Sequence, residues 1–330
     1  MPANLPPQYY EAEKRYREAK SFEEKISILQ EMLAIMPKHK GTDKLQADLR
    51  AKISKLKKAA EKKKGPCRRS QPYRIPKEGA AQIILIGPPN TGKSTILSAL
   101  TRASPKIAPY PFTTHEPAVG MMPYENIRIQ LVDTPPISPE FNFPWLGDII
   151  RRGDLLLIVV DAGREDILEQ AEVVLEKLKE LKIRSEGENT DAIDEEGGIL
   201  YKKIAILANK NDLQGAEERV SVLKELYGKN FPVIATSATS PQEISRAKEE
   251  FYRALDIIRV YTKVPGRPPD MEEPVVLKRG SSVIDAARAI HKDFVNNLKY
   301  ARIWGQNEFK GQKVEREHPL EEGDILEFHI

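Results

Sequence analysis

Lys93 and Ser94 follow Gly92 in the stretch Gly87-Pro88-Pro89-Asn90-Thr91-Gly92-Lys93-Ser94-Thr95. The spacing of Gly87, Gly92, Lys93 and Ser94 fits a phosphate-binding loop, in which backbone N–H groups cradle phosphates, the lysine reaches the terminal ones and the hydroxyl binds Mg²⁺. A helix starting behind the loop adds its dipole to the anion site. The candidate nucleotide contacts here are Gly87, Pro88, Asn90, Thr91, Gly92, Lys93, Ser94 and Thr95. Asp133 closes the apolar run Ile127–Val132, where a carboxylate can hold Mg²⁺ through water beside Ser94. Thr114, in Tyr110-Pro111-Phe112-Thr113-Thr114, lies in the loop between the first helix of this region and its next strand. Its hydroxyl can close on the metal when a γ-phosphate is present.

Asn209-Lys210-Asn211-Asp212 follows another apolar run, Lys203 to Ala208. A carboxylate at Asp212 can accept from N1–H and the exocyclic amine of guanine, a donor pair that adenine lacks. Thr236-Ser237-Ala238 ends a further strand pattern, where a backbone N–H can meet the guanine oxygen. The candidate base contacts are Asn209, Lys210, Asp212, Ser237 and Ala238, and they favour GTP over ATP.

These residues need an α/β frame. Residues 79–255 alternate strand patterns (82–86, 118–122, 127–132, 154–160, 203–208, 231–236) with helix patterns (94–102, 166–182, 216–227, 241–255), which predicts a mostly parallel sheet covered on both faces. Between them, Arg184 to Gly198 reads as an exposed acidic loop. Residues 1–78 read as a helical hairpin. In its first helix, Phe22, Ile26, Leu29, Leu33 and Met36 recur at helical spacing behind a Ser21/Glu24 capping box, and in the second Leu45, Leu49, Ile53 and Leu56 share a face. After Pro265-Gly266-Arg267-Pro268-Pro269 the rhythm changes: strand 275–278, helix 282–298 and strands 300–304 and 325–330 predict a small α+β module.

Net charge is +3, but it is unevenly spread. From Arg50 to Lys77 twelve lysines and arginines stand against Glu61, so this segment carries +11 and the remainder −8. That asymmetry points to a polyanionic partner such as RNA, with a solvated helix face as the plain alternative. Cys67 is the single cysteine, so no intramolecular disulfide forms, and the histidines are scattered without metal-ligand spacing. The polar N-terminus and the shortness of the longest apolar run, Leu155–Val160, lead us to expect a cytoplasmic protein with no membrane or DNA partner.

Taken together, these motifs resemble the Obg-like class of P-loop GTPases, and the whole chain is similar to its DRG branch. Tyr110 to Thr114 resembles the switch I of that class, with Thr114 at the metal position. Gly41 to Lys58 is similar to the N-terminal helical region of the branch. Tyr261-Thr262-Lys263, Pro274-Val275-Val276-Leu277, Ile290-His291-Lys292, Tyr300-Ala301 and Ile303-Trp304-Gly305 resemble a TGS domain, a ubiquitin-like β-grasp module. The resemblance implies three parts: a helical basic region (1–78), a Ras-like G domain (79–255) and a TGS domain (256–330). It also implies GTP hydrolysis with Mg²⁺ held by Ser94, Thr114 and Asp133, with Lys93 and Thr114 as catalytic groups, and gated binding to ribosomes or RNA. A protein partner that stabilises the fold or stimulates hydrolysis fits the same pattern.

Three departures bear on this. The segment from Asp133 to Asn209 is too short for the extra domain that DRG proteins insert. Asn90 stands where serine is frequent, as in potassium-activated GTPases, which makes K⁺ a candidate cofactor. Asp133-Thr134-Pro135-Pro136 ends in proline where the class has glycine, and Ile137 to Trp145 replaces the glycine-rich switch II expected next; Ile137 stands where many GTPases place a water-orienting glutamine, a substitution in which the Obg-like class resembles this chain. A GTP-binding scaffold or regulator without useful hydrolysis is therefore the alternative expectation.

Overall fold

A computed structural model describes residues 22–35, 75–101, 106–107, 117–138, 145–187, 198–305 and 310–329, with Arg15, Leu49 and Lys52. The expected switch I from Tyr110 to Thr114, Cys67 and nearly all of the basic segment lie outside the described residues. The chain divides into two compact units, residues 1–72 and 73–330. In the first, helix α1 (Phe22–Ile35) buries Ile28, Leu29 and Met32. Of the second expected helix, Leu49 and Lys52 are described, and both are helical.

The second unit opens with β1 (Gln82–Ile86), helix α2 (Lys93–Thr101), the short β2 (Lys106–Ile107), β3 (Ala118–Tyr124) and β4 (Ile127–Asp133). There follow α3 (Leu146–Arg152), β5 (Leu155–Asp161), α4 (Ile167–Glu180), β6 (Ile183–Ser185), β7 (Leu200–Asn209), α5 (Ala216–Tyr227), β8 (Val233–Ala235) and α6 (Pro241–Leu255). The strands lie in the order β2-β3-β4-β1-β5-β7-β6, with β8 also on β7. The β2–β3 and β3–β4 pairs are antiparallel and the other pairs parallel, so the sheet is mostly parallel. β1 and β5 are buried throughout, which is why both read as unbroken apolar runs. Ile84 and Ile86 face a core with α3 and α4, and Ile83 and Leu85 face another with α2 and α6. Register brings Leu85 beside Asp133 and Asp161 beside Asn209, so polar strand ends collect at the carboxyl edge of the sheet.

α6 starts at Ser240, whose hydroxyl accepts the Glu243 amide at 3.4 Å, with Pro241 at the first position. It ends at Asp256 in the left-handed region (φ 50°), and the chain passes into a second sheet. That sheet has the order β10-β9-β13-β11-β12, from β9 (Ile257–Lys263), β10 (Asp270–Lys278), β11 (Tyr300–Trp304), β12 (Lys310–Val314) and β13 (Ile325–His329). Helices α7 (Val283–Ile290) and α8 (Lys292–Asn297) lie between β10 and β11. Ile258, Val260, Ala301, Ile303, Leu326 and Phe328 supply its core together with α7.

Two expectations are corrected. The helix expected over 282–298 breaks at His291, whose backbone is extended (φ −162°, ψ 148°). The break leaves Ile290 exposed and lets Phe294 and Val295 reach the core. The acidic loop begins later than Arg184, because Ile183–Ser185 is a strand parallel to β7 with Ile183 buried.

The second unit is braced across its two sheets by Arg259 on β9, whose side chain is 11% exposed. Its Nε donates to Glu322 Oε1 at 2.7 Å, and its Nη1 donates to Asn126 Oδ1 at 2.9 Å and to Glu125. Tyr252 of α6 donates to Glu322 Oε2 at 2.7 Å, while Asn126 Nδ2 donates to Tyr261 Oη and the Met271 carbonyl. Burial, then the Glu322 carboxylate, push the Tyr252 phenol far above its ordinary value. The turn between β3 and β4 is thereby tied to the C-terminal sheet.

Candidate functional site

The loop after β1 leaves the sheet where Gly87 passes Val159: a side chain at Gly87 would meet the Val159 carbonyl oxygen at 2.3 Å. Gly92 has φ +88°, and a Cβ there would meet the Asn209 side-chain Nδ2 at 2.3 Å, so Gly87 is required by close backbone approach and Gly92 by its left-handed backbone and the Asn209 amide against it. Asn90 between them is also left-handed (φ 64°). Lys93, only 7% exposed, donates from Nζ to the Gly87 and Pro88 carbonyls at 3.0 and 2.9 Å. Thr91 Oγ1 donates to the same Pro88 carbonyl at 3.2 Å.

β4 delivers Asp133 beside this loop. Ser94 Oγ donates to Asp133 Oδ2 at 2.5 Å. Asp133 is 8% exposed, and its buried Oδ1 has no hydrogen-bond partner among the described residues. Burial raises its pKa against the opposing pull of Ser94 and Lys93, and burial lowers that of Lys93 against the pull of Asp133. Burial thus works against the charged form of each group, a cost that a ligand carrying both signs of charge would offset. A hydroxyl and an unpartnered carboxylate oxygen form a hard donor set that suits Mg²⁺.

The loop, Asp133 and Thr134-Pro135-Pro136 enclose an open cleft of about 500 Å³, with the exposed Thr95 on its wall. Thr134 donates twice to the Leu85 carbonyl, from Oγ1 at 2.8 Å and from N at 3.3 Å. Pro135 and Pro136 carry no N–H. The Ile137 amide donates to the Gly87 carbonyl at 3.0 Å, and its side chain is buried at 4% exposure among the residues under α3.

On the other side, β7 delivers Asn209, which is 1% exposed. Its Nδ2 donates to the Thr91 carbonyl at 2.9 Å and its Oδ1 accepts the Ala238 amide at 3.3 Å, so one side chain joins the loop to the segment after β8. Lys210 (φ 64°) reaches back across the loop, donating to the Asn90 carbonyl at 3.1 Å and pairing with Asp161 Oδ2 at 2.5 Å. Asp212 is exposed and makes no hydrogen bond among the described residues. Ser237 is buried, with its hydroxyl 2.8 Å from that of Thr239, so it shapes the turn holding Ala238. The structure thus brings together the loop, Asp133, Asn209, Lys210, Ser237 and Ala238, while Thr114 lies outside the described residues. Sequence reasoning missed Asp161 and Gln170, whose Oε1 accepts the Asp161 amide at 2.8 Å. The signal was an acid ending the run Leu155–Val160, as Asp133 ends its own.

Comparison with known proteins agrees with this geometry. The family model of 50S ribosome-binding GTPases matches residues 82–190, and that of the TGS domain matches 258–330. An uncharacterized GTP-binding protein of Methanocaldococcus jannaschii is 30% identical over 362 aligned positions, covering 92% of this chain and 92% of that protein. This chain belongs to the DRG-like, TGS-bearing GTP-binding proteins of the Obg class. Its relatives include developmentally-regulated GTP-binding protein 2 of Mus musculus, 25% identical over 92% of this chain and 98% of that one. The Methanocaldococcus alignment is longer than the 330 residues of this chain, so the DRG-like relative carries residues without a counterpart here. The solved YchF GTPase of Schizosaccharomyces pombe shares the fold at TM-score 0.50 and 16% identity, over 78% of this chain and 99% of that one. GTPases of this family generally use Mg²⁺. No helix among the described residues is long and apolar enough to cross a membrane.

Proposed function

We propose that the chain binds GTP and GDP with Mg²⁺ in the cleft between the phosphate loop and Asn209, hydrolyses GTP slowly, and uses its nucleotide state to gate association with the ribosome or RNA in the cytoplasm. The observation that carries the nucleotide reading is the pair of hydrogen bonds made by the Asn209 side chain, which holds the phosphate loop and the Ala238 amide in one frame beside the free carboxylate of Asp212. Mg²⁺ would be held by Ser94, Asp133 and Thr114, and when bound it supplies positive charge against the phosphates. Lys93 is the chain's own counter-charge at the terminal phosphates. Asn90 is the candidate ligand for K⁺, in which case hydrolysis in KCl exceeds that in NaCl at matched ionic strength.

A second reading, GTP binding without useful turnover, is favoured by Pro136 and by the burial of Ile137. Single-turnover GTP cleavage with and without ribosomes separates the two. Cleavage stimulated by ribosomes supports gating by a partner; GTP held uncleaved in both conditions leaves a scaffold.

The charge at Arg50–Lys77 supports the polyanion part of the proposal. Phosphate contacts release counterions, so affinity for structured RNA should fall steeply with salt. Removal of the residues before Tyr73 should abolish most of that slope, and an unchanged slope would refute the role of this segment.

A further inference from the structure

At the opposite end of the G-domain sheet from the phosphate loop, a cavity of about 270 Å³ opens on the seam between the two sheets. Lys202 and Lys203 of β7, Lys278 of β10 and Lys77 line it, against Asp154 and Glu186. Four cations facing two anions is an excess, and the ion pairs show which of the cations are free. Asp154 is already committed: Lys77 lies 2.6 Å from its Oδ2, and the Gln82 amide donates to the same oxygen at 2.8 Å. Lys203 is committed to the Leu255 carbonyl at 2.9 Å and to Asp256, which Arg279 also pairs.

Two cations remain. Lys202 Nζ donates to the Gly153 carbonyl at 2.7 Å and has no acidic partner within bonding distance, while the Lys278 ammonium makes no ion pair or hydrogen bond among the described residues. Burial lowers the Lys202 pKa, Asp154 and Glu186 oppose that, and Lys278 and Lys77 add to it, so an incoming anion would relieve repulsion between these ammonium groups. Leu255, Ile257 and Val276 give the cavity an apolar wall, and the ring of Tyr201 stands at its edge. Ammonium groups from two sheets beside an apolar wall suit a phosphate group on a small organic body.

We propose that this cavity is a second ligand site, distinct from the GTP cleft, which takes the phosphate group of a small phosphorylated molecule between Lys202 and Lys278. Because Lys202 belongs to β7 and Lys278 to β10, such a ligand would bridge the two sheets and stabilise the seam.

The test uses the full chain saturated with Mg²⁺ and GDP, so that the nucleotide cleft is filled, titrated by calorimetry with inorganic phosphate, pyrophosphate and adenosine monophosphate in separate arms. We expect saturable binding at one site in at least one arm, with a rise in melting temperature. Tighter binding of adenosine monophosphate than of pyrophosphate would identify an organic phosphate as the occupant, and the reverse an inorganic one. Lys202→Gln and Lys278→Gln should each weaken binding at least tenfold, Glu186→Gln should tighten it, and the exposed Lys229→Gln should leave it unchanged. Lys278 is exposed, so its variant keeps the test valid if the Lys202 variant folds poorly. Absence of saturable binding in every arm, equal affinity in the Lys278 variant, or displacement of the bound GDP by the titrant would each overturn the assignment.

Discussion

The Gly87 carbonyl accepts the Ile137 amide and the Lys93 ammonium, each at 3.0 Å. The first amide after Thr134 is therefore spent on the phosphate loop itself, because Pro135 and Pro136 have none to offer. A donor expected at the γ-phosphate is missing, and removal of one such donor costs about 10² to 10³ in rate in other sites. Pro136→Gly should restore an amide and raise single-turnover hydrolysis by up to about 10². Wild-type turnover that is already fast and unmoved by this change would defeat the argument.

Guanine selectivity should rest on Asp212. In Asp212→Asn the acceptor pair becomes one donor and one acceptor, which suits xanthine better than guanine. GTP affinity should fall by about 10² or more and XTP affinity should rise, as competition binding with labelled nucleotide can measure. A variant retaining full GTP affinity would exclude Asp212 from base recognition.

Asp133 gives a pH signature to the nucleotide-free protein. Its folded pKa is raised, chiefly by burial, so its contribution favours the fold at low pH and is lost as pH rises through the folded value. Asp133→Asn keeps an acceptor for Ser94 without the buried charge. We expect the nucleotide-free variant to be at least as stable as wild type at pH 8 by thermal melting, yet to need about 10 to 100 times more Mg²⁺ for tight GTP binding. Loss of stability in the variant at that pH would contradict the burial argument.

Arg259 should matter for stability more than a surface arginine. Its removal leaves Glu322 beside the buried Tyr252 with its main cation gone, at a cost of about 2 kcal/mol. A double-mutant cycle of Arg259→Ala with Glu322→Gln should return a coupling of about 1 kcal/mol or more in denaturant unfolding. Strict additivity would reduce the pair to a surface contact.

Legibility in the sequence followed burial. β1, β5 and the buried second half of β7 (204–209) stood out because central parallel strands are apolar over their buried length, and the helices flanking them kept a 3.6-residue period. β12 did not, since Lys310–Val314 is an edge strand in which Val314 is buried while Gln312 and Lys313 are exposed. β6 was hidden by its three-residue length, and the break at His291 by an apolar spacing that runs through it; tertiary packing of Phe294 decides where the helix stops. In the site, motif spacing marked single residues but not the links between them. That Asn209 holds Thr91 and Ala238 at once, or that Ile137 closes on Gly87, depends on distances no linear pattern contains.

The brace at Glu125 and Asn126 has a mechanical consequence. β4 pairs with β1, which carries the phosphate loop, and its turn with β3 is locked to Arg259, Tyr261 and Met271. The C-terminal sheet is thus joined to the nucleotide cleft through one stiff ribbon about 23 Å long, at 3.3 Å per residue over seven residues. Residues 73–330 thus work as a caliper with one fixed jaw: whatever is seated on the C-terminal sheet is held at a set distance from the cleft.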